Sequence, residues 1–600
     1  MKSPTRKTQD AIISYLRAAT EHGTQNQAMR HSFEKLDREY ARESDLSAKN
    51  RDAKGKNDAG DKNTLRDITV PVLYPQTETA HSYLVGVFLT GYPIFATVSS
   101  PENMVAADMM DAVNAQHQVR GGWVRGLSLA MRDGLKYNVM AVEVDWKTKK
   151  TYALKLDDKN EVQTRPSNYE GNCIRRLDMY NTFWDNRVPI AEVHENGEFA
   201  GFHEIMSRIK LKQLLVDIED EWKLKNDKEA MESAPDRENF FQPSIVPDKF
   251  EVDHERNQGF NWVRWATNMP ADDKARINYQ DYYEVTTLYA RILPDDFGLD
   301  VPARNTPQIW KFIIVNNQVV VYARRLTNAH NYLPIIFGSP LEDGLEYQTK
   351  SFAENLVDIQ DMSTSLWKIK IASARRNVSD RMIYDARFIR PEDINSNNPS
   401  AKIPVRTSQY LDDIRKAVYQ IPYNEGAAAS AVGDAMQIQE MGRSISGISR
   451  PVEGQFMKGN RTLGEYQDIR GNGDARLQTM AYLLEAQFFT PIKEIIKYNV
   501  LQYVKPSSVY FSVKKTRVEI NPQILRDISL DFKMSDGLVS SAKIADSDFL
   551  SSLMQLIPQN AELQQRFDIV KLVGYLASLR NVPGLDAFER DAPIPTGAPE

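Results

Sequence analysis

Residues 349–376 read TKSFAENLVDIQDMSTSLWKIKIASARR. Phe352, Leu356, Ile359, Met362, Leu366 and Ile369 recur there at spacings of three and four, which places them along one stripe of an α-helix. Glu354, Asp358, Asp361 and Lys368 take the opposite face, and Arg375-Arg376 stand at the end whose free carbonyls favour cations. The spacing predicts a helix over 349–377, about 40 Å long at 1.5 Å per residue. Such a length suits a rod in a bundle better than the core of a globular domain.

Downstream, residues 378–430 are punctuated by Pro391, Pro399, Pro404 and Pro422, which suggests a small mixed lobe. A second helix is expected over 432–445. Gly447, Gly454, Gly459 and Pro451 then mark 446–461 as a loop. A long helix over 462–504 follows, with a kink expected at Gly471-Asn472-Gly473 and a bend at Pro491. Ile528, Leu530, Phe532 and Met534 alternate with polar residues as a half-buried strand does. Helical patterns return over 540–580, and the proline-rich tail is expected to fray.

Upstream, Trp310–Val315 and Val319–Ala323 flank Asn316-Asn317-Gln318, a hairpin signal because asparagine tolerates left-handed turn conformations. Tyr282–Leu293 reads as a further strand. Strands are also expected over 137–146 and 176–184, a helix capped by Ser207 over 207–219, and helices over 75–97 and 102–136. Residues 220–275 are charged and irregular. Residues 1–66 carry both signs of charge and read as an N-terminal arm. Within it, Ile12, Ile13, Tyr15 and Leu16 support one helix over 8–22, and 45–62 reads as a linker, a mobile arm or a helix that needs a partner. The fold class is α+β, predominantly helical.

Six hundred residues exceed what one hydrophobic core usually serves, so several domains, or one body with long insertions, are expected. With 42% apolar and 26% charged residues the composition is that of a folded chain. A net charge of −6 advertises no general attraction to nucleic acid. The single cysteine, Cys173, excludes an intrachain disulfide and fits folding in a reducing cytoplasm. The N-terminus shows no apolar signal-peptide region, and no window approaches the ~18 apolar residues of a membrane span, so no membrane partner is expected.

Motifs of catalysis are sparse. No phosphate-binding loop of the Gly-x4-Gly-Lys-Ser/Thr type, dinucleotide-binding glycine pattern or His-Glu-x-x-His occurs, so no cofactor is expected. Of the histidines only His194 and His203 come close together, a weak metal-ligand signal. Glu143, Asp145 and Lys147 project from one face of a predicted strand, with Asp133 upstream. Such a set can hold magnesium and activate water for phosphodiester cleavage, which makes a nuclease-like DNA enzyme one alternative. A solvated outer strand face is the plainer reading.

Three stretches resemble the portal proteins of short-tailed bacteriophages. Residues 133–146 (DGLKYNVMAVEVDW) look like the family's helix-to-strand passage, with Asn138 where glycine is usual. Residues 179–188 (MYNTFWDNRV) resemble a strand with its acidic turn, and 333–360, with Gly344 and Asp358-Ile-Gln360, resemble the approach to the stem. The order of these stretches over 67–580 is more specific than any one of them.

The resemblance implies a portal fold of wing, stem, clip and crown, in a chain that forms a ring, usually of twelve subunits. Mapped here it gives a wing over 67–348, a first stem helix over 349–377, a clip over 378–431 and a second stem helix over 432–445. A tunnel loop over 446–461, a long kinked wing helix with returning strands over 462–539, and a crown and tail over 540–600 complete it. Phe352, Leu356, Ile359, Met362 and Leu366 become candidates for subunit packing. Arg443, Arg450, Lys458 and Arg461 become candidates to meet DNA phosphates without reading sequence. Implied partners are double-stranded DNA, the terminase large subunit, tail adaptor or connector proteins, and the major capsid and scaffolding proteins. The implied place is the capsid vertex of the virion, after assembly in the bacterial cytoplasm. No catalytic or metal-binding residue is expected. A different structural virion protein, such as a tail or adaptor component, is a second alternative.

Overall fold

The computed structural model describes residues 6–24, 33, 35–37, 39–41, 69–89, 91–97, 104–156, 162–217, 227–233, 282–299, 301–344, 349–378, 382–384, 418–420, 426–448, 476–511 and 516–527. Helices α1 (Arg6–Thr24), α2 (Leu73–Phe88), α3 (Met104–Arg120) and α4 (Trp123–Tyr137) come first. The single helix expected over 102–136 is broken at Gly121-Gly122, where Gly122 takes φ 73, a left-handed conformation that costs glycine nothing. The strand expected from Tyr137 starts later, because Tyr137 closes α4 and Asn138, at φ 57, turns the chain.

Strand β1 (Met140–Leu156) then pairs along its length with β2 (Val162–Arg176). The apolar run over 176–184 is therefore not one strand. β2 ends at Arg176, a short turn capped by Asp178 intervenes, and only β3 (Thr182–Trp184) follows. β4 (Phe199–Ser207) leads into α5 (Arg208–Asp217), where Ser207 Oγ accepts the Lys210 N–H at 3.4 Å, the expected cap. β5 (Tyr282–Ile292), β6 (Gln308–Val315) and β7 (Val319–Arg325) complete an antiparallel sheet of order β3-β4-β5-β6-β7. The β6–β7 hairpin turns at Asn316 and Asn317, with φ 52 and 54, as their side-chain type predicts. β8 (Ile335–Gly338) joins β1 to give a second sheet of order β2-β1-β8.

Helix α6 (Glu354–Val378), the paired strands β9 (Met382–Tyr384) and β10 (Val418–Gln420), and helix α7 (Gly426–Ser446) come next. α7 begins at Gly426, ahead of the expected 432, because an alanine run there favours helix. Residues 476–484 are helical, a π turn spans Glu485–Phe489, and α8 (Thr490–Tyr503) continues with Pro491 in its first turn. A hairpin of β11 (Ser507–Phe511) and β12 (Thr516–Ile520) and helix α9 (Pro522–Asp527) end the described chain. The kink expected at 471–473, the strand over 528–534 and the helices over 540–580 lie outside the described residues. Among the described residues no helix is long and apolar enough to cross a membrane.

The chain forms two compact units, one of residues 1–36, 77–353 and 450–600, the other of 37–76 and 354–449. In the larger unit the five-stranded sheet is buried on both faces. Even-numbered side chains such as Leu288, Ala290, Trp310 and Phe312 meet Ile12, Leu16 and Ala19 of α1. Odd-numbered ones such as Tyr283, Val285 and Val315 meet Leu211 and Leu215 of α5. The two-residue period of a strand sorts them. The helix expected over 8–22 is α1, and burying Ile12 and Leu16 stabilises it on the sheet by roughly 1.5–3 kcal/mol per side chain. A further cluster sets Met110 and Val113 of α3 against Val500, Val509, Ile520 and Leu525.

Candidate functional site

The acidic strand face is closed by the opposite sheet. Glu143, Asp145 and Lys147 share one face of β1, and Tyr289 of β5 donates its hydroxyl to Glu143 Oε1 at 2.8 Å. Lys147 Nζ lies 2.7 Å and Arg175 Nη2 3.1 Å from Glu143 Oε2, and Lys311 Nζ lies 2.8 Å from Asp145 Oδ2. Arg175 also pairs with Glu204 at 2.6 Å and lies over the Phe202 ring, 4.5 Å from its centroid. Burial alone would raise the Glu143 carboxyl, but Lys147, Arg175 and Lys311 outweigh it and hold the group well below the usual carboxylate range. Burial first and the Glu143 charge second push the Tyr289 phenol well above its ordinary value.

A magnesium-dependent nuclease needs carboxylate oxygens turned toward an open cation position. Here Glu143 is buried and both carboxylates are matched by cations of the same network, so the nuclease reading of Glu143, Asp145 and Lys147 is corrected. The solvated-face alternative is corrected too. Asp133, on α4, is clasped by the Arg176 guanidinium through both carboxylate oxygens. Among the described residues no group of three or more His, Cys, Asp and Glu side chains is arranged to hold a metal ion. His194 and His203 also part company: His194 meets the Tyr332 ring edge-on, whereas His203 Nδ1 lies 2.8 Å from Thr286 Oγ1.

The smaller unit rests on α6 and α7. The buried face of α6 is formed by Leu356, Val357, Gln360, Ser363 and Thr364, three of them polar. Phe352, just ahead of the helix, and Leu356 are buried, and Ile359 and Leu366 are half-buried. Met362 is 57% exposed and Ile369 50%. The buried face and the apolar stripe are thus rotated about a third of a turn from each other, given 3.6 residues per turn.

α7 turns small residues inward: Ala431, Ala435, Gly442 and Ser446. A Cβ added at Gly442 would stand 3.0 Å from Ile359 Cγ2, so the lack of a side chain there lets the two helices approach. Gln439 Nε2 donates to Ser363 Oγ at 3.1 Å. Outside, α7 exposes Met436 (58%), Met441 (59%) and Ile445 (47%). α7 therefore meets α6 through small and polar groups and leaves its large apolar side chains on the surface.

Arg443 stands in the last turn of α7, its Nη1 3.0 Å from Glu440 Oε2. Arg450, Lys458 and Arg461 lie outside the described residues. Sequence reasoning missed the polar buried face of α6 and the exposed methionines of α7. The spacing of Ala431, Ala435, Gly442 and Ser446 was the available signal for the latter.

Residues 227–593 match the sequence model of the family described as phage SU10 portal protein. No curated protein matches the chain.

Proposed function

The chain belongs to the phage SU10 portal protein family, and from that premise we propose which of its parts do which work. A portal forms a ring at one capsid vertex, the channel for packaging and ejecting double-stranded DNA, where terminase and then tail proteins dock. In our reading 67–348 and 462–539 make the wing, 349–377 and 432–445 the stem, 378–431 the clip, 446–461 the tunnel loop and 540–600 the crown. The order helix, small lobe, helix supports this, since α6, the β9–β10 pair and α7 follow one another in that order.

The observation that carries the assembly reading is the set of exposed apolar side chains on α6 and α7. A ring closes through heterologous contacts, in which two different patches of one chain meet. The exposed Met362 and Ile369 on α6, with the half-buried Leu366 beside them, supply one patch, and Met436, Met441 and Ile445 on α7 the other. Phe352 and Leu356 serve the subunit's own core in this reading, with Ile359 shared between α7 and the edge of the patch. Arg443, Arg450, Lys458 and Arg461 meet phosphates, and the net charge of −6 keeps that attraction from halting DNA in transit. The motor is the separate terminase, and the ring is passive.

Negative-stain microscopy of the purified chain, with and without scaffolding protein, tests this. Closed rings, twelvefold in our reading, with a central hole near the width of duplex DNA are expected. Monomers under every salt condition and in both arms would overturn it.

A further inference from the structure

Gln360, fully buried in the second turn of α6, makes every hydrogen bond an amide side chain can make. Its Oε1 accepts the N–H groups of Val72, at 3.1 Å, and Leu73, at 3.0 Å. Its Nε2 donates to the backbone oxygen of Glu39 at 3.1 Å and to Glu39 Oε2 at 2.7 Å. Leu73 is the first residue of α2, so N–H groups left over at a helix start are capped by a side chain far away in the sequence. One turn further along α6, Thr364 Oγ1 accepts the Val70 N–H at 3.1 Å. Between the two tied segments, the Tyr40 and Tyr74 rings lie 5.1 Å apart, centroid to centroid.

Two stretches of chain, 39–41 and 70–73, therefore meet at one turn of α6, and one amide holds both. We propose that Gln360 is a clasp that seats and releases these two segments together. The physical reason is the cost of a half-satisfied buried amide. When Glu39 leaves, the buried N–H donors of Gln360 lose their partners and the amide favours turning toward water, which uncaps Val72 and Leu73. Separate apolar seating of each segment would leave only the Tyr40–Tyr74 ring contact to couple them. The inference does not depend on the portal reading.

Hydrogen exchange of the full-length chain, followed by mass spectrometry on peptides covering 33–41 and 70–76, separates the two cases. Gln360→Leu removes all four bonds, and exchange in both peptides is expected to rise by about tenfold or more. Gln360→Glu keeps the acceptor toward Val72 and Leu73 but repels Glu39, and Glu39→Ala removes one acceptor while leaving Gln360 in place. A clasp requires that both variants speed exchange at 70–76 as well as at 33–41. If only the 33–41 peptide responds to Gln360→Glu and Glu39→Ala, or if Gln360→Leu leaves both peptides within about twofold of the parent, the clasp is wrong. Peptides from α6 and α7 report folding of the smaller unit, and the milder two variants decide the matter should Gln360→Leu fail to fold.

Discussion

Lys311 of β6 and Asp145 of β1 join two different sheets through a contact of 2.8 Å. Neither is fully buried, at 16% and 22% side-chain exposure, whereas Glu143 two residues earlier is 2% exposed and carries three polar partners. That difference orders the expected losses. Lys311→Ala should cost about 1 kcal/mol, because Asp145 retains access to water. Glu143→Ala should cost about 3 kcal/mol, because Arg175, Lys147 and the Tyr289 hydroxyl lose a shared buried partner. Exchange of β1 amides in the two variants measures the order, and a Lys311→Ala variant that loses more than Glu143→Ala would contradict it.

Acid should loosen the larger unit. Burial pushes the His117 and His330 imidazoles down to about 4, and it also lowers His81 and His194. Below pH 6.5 the unfolded chain takes up protons that the folded chain refuses until about pH 4. The histidine contribution is therefore complete above pH 6.5 and is lost as pH falls through that window. Each of His117 and His330 accounts for about 3 kcal/mol at most. Urea midpoints should drop from pH 7.5 to 5, and a His117→Gln, His330→Gln double variant should show a flatter profile.

At the β6–β7 turn the two asparagines are not equivalent, although both have positive φ. Asn316 Oδ1 accepts the Glu284 N–H at 2.9 Å, and its Nδ2 donates to Ser233 O and Oγ at 3.1 and 3.0 Å. Among the described residues, the Asn317 side chain has one contact, Oδ1 accepting from Thr286 Oγ1 at 3.4 Å. Asn316→Ala should therefore destabilise by about 2–3 kcal/mol, adding left-handed strain to lost hydrogen bonds. Asn317→Gly should stay within about 0.5 kcal/mol of the parent, since glycine relieves the strain. Denaturant melts of the two variants decide this.

On α6 and α7, folding and assembly should separate by position. Met362→Glu and Met441→Glu place charge on exposed apolar sites, so ring formation should fail while the circular dichroism spectrum persists. Gly442→Val acts inward instead, forcing Ile359 aside at a cost of about 1–3 kcal/mol. Sedimentation velocity beside thermal melts tells the two classes apart. A Met362→Glu chain that still forms rings would remove that residue from the subunit contact.

Some of this was legible beforehand for definite reasons. The β6–β7 hairpin shows in the sequence because Asn316-Asn317 is a local signal sitting between two apolar runs. Helix α6 shows because its apolar spacing is local too. What α6 buries does not, because its inner face is largely polar: Gln360, Ser363 and Thr364 look like surface residues until partners from residues 39, 70, 72, 73 and 439 arrive. The acidic face of β1 misled for the same reason, since Lys311 and Arg175 are distant in the chain. Gly121-Gly122 was passed over because Trp123 and Leu127 carry the helical spacing on past the break.

The π turn at Glu485–Phe489 has a consequence of helical phase. Ahead of it Leu477, Met480, Ala481 and Leu484 are buried; beyond it Ile492, Ile495, Ile496, Asn499 and Val500 are. Drawn on an uninterrupted α-helix, those two sets point about a quarter turn apart. The one extra residue in the wider turn takes up that angle, so both sets lie along a common inner side. Removing a single residue from 485–489 would give a more regular helix and a worse protein, since one of the two sets would then swing off the core.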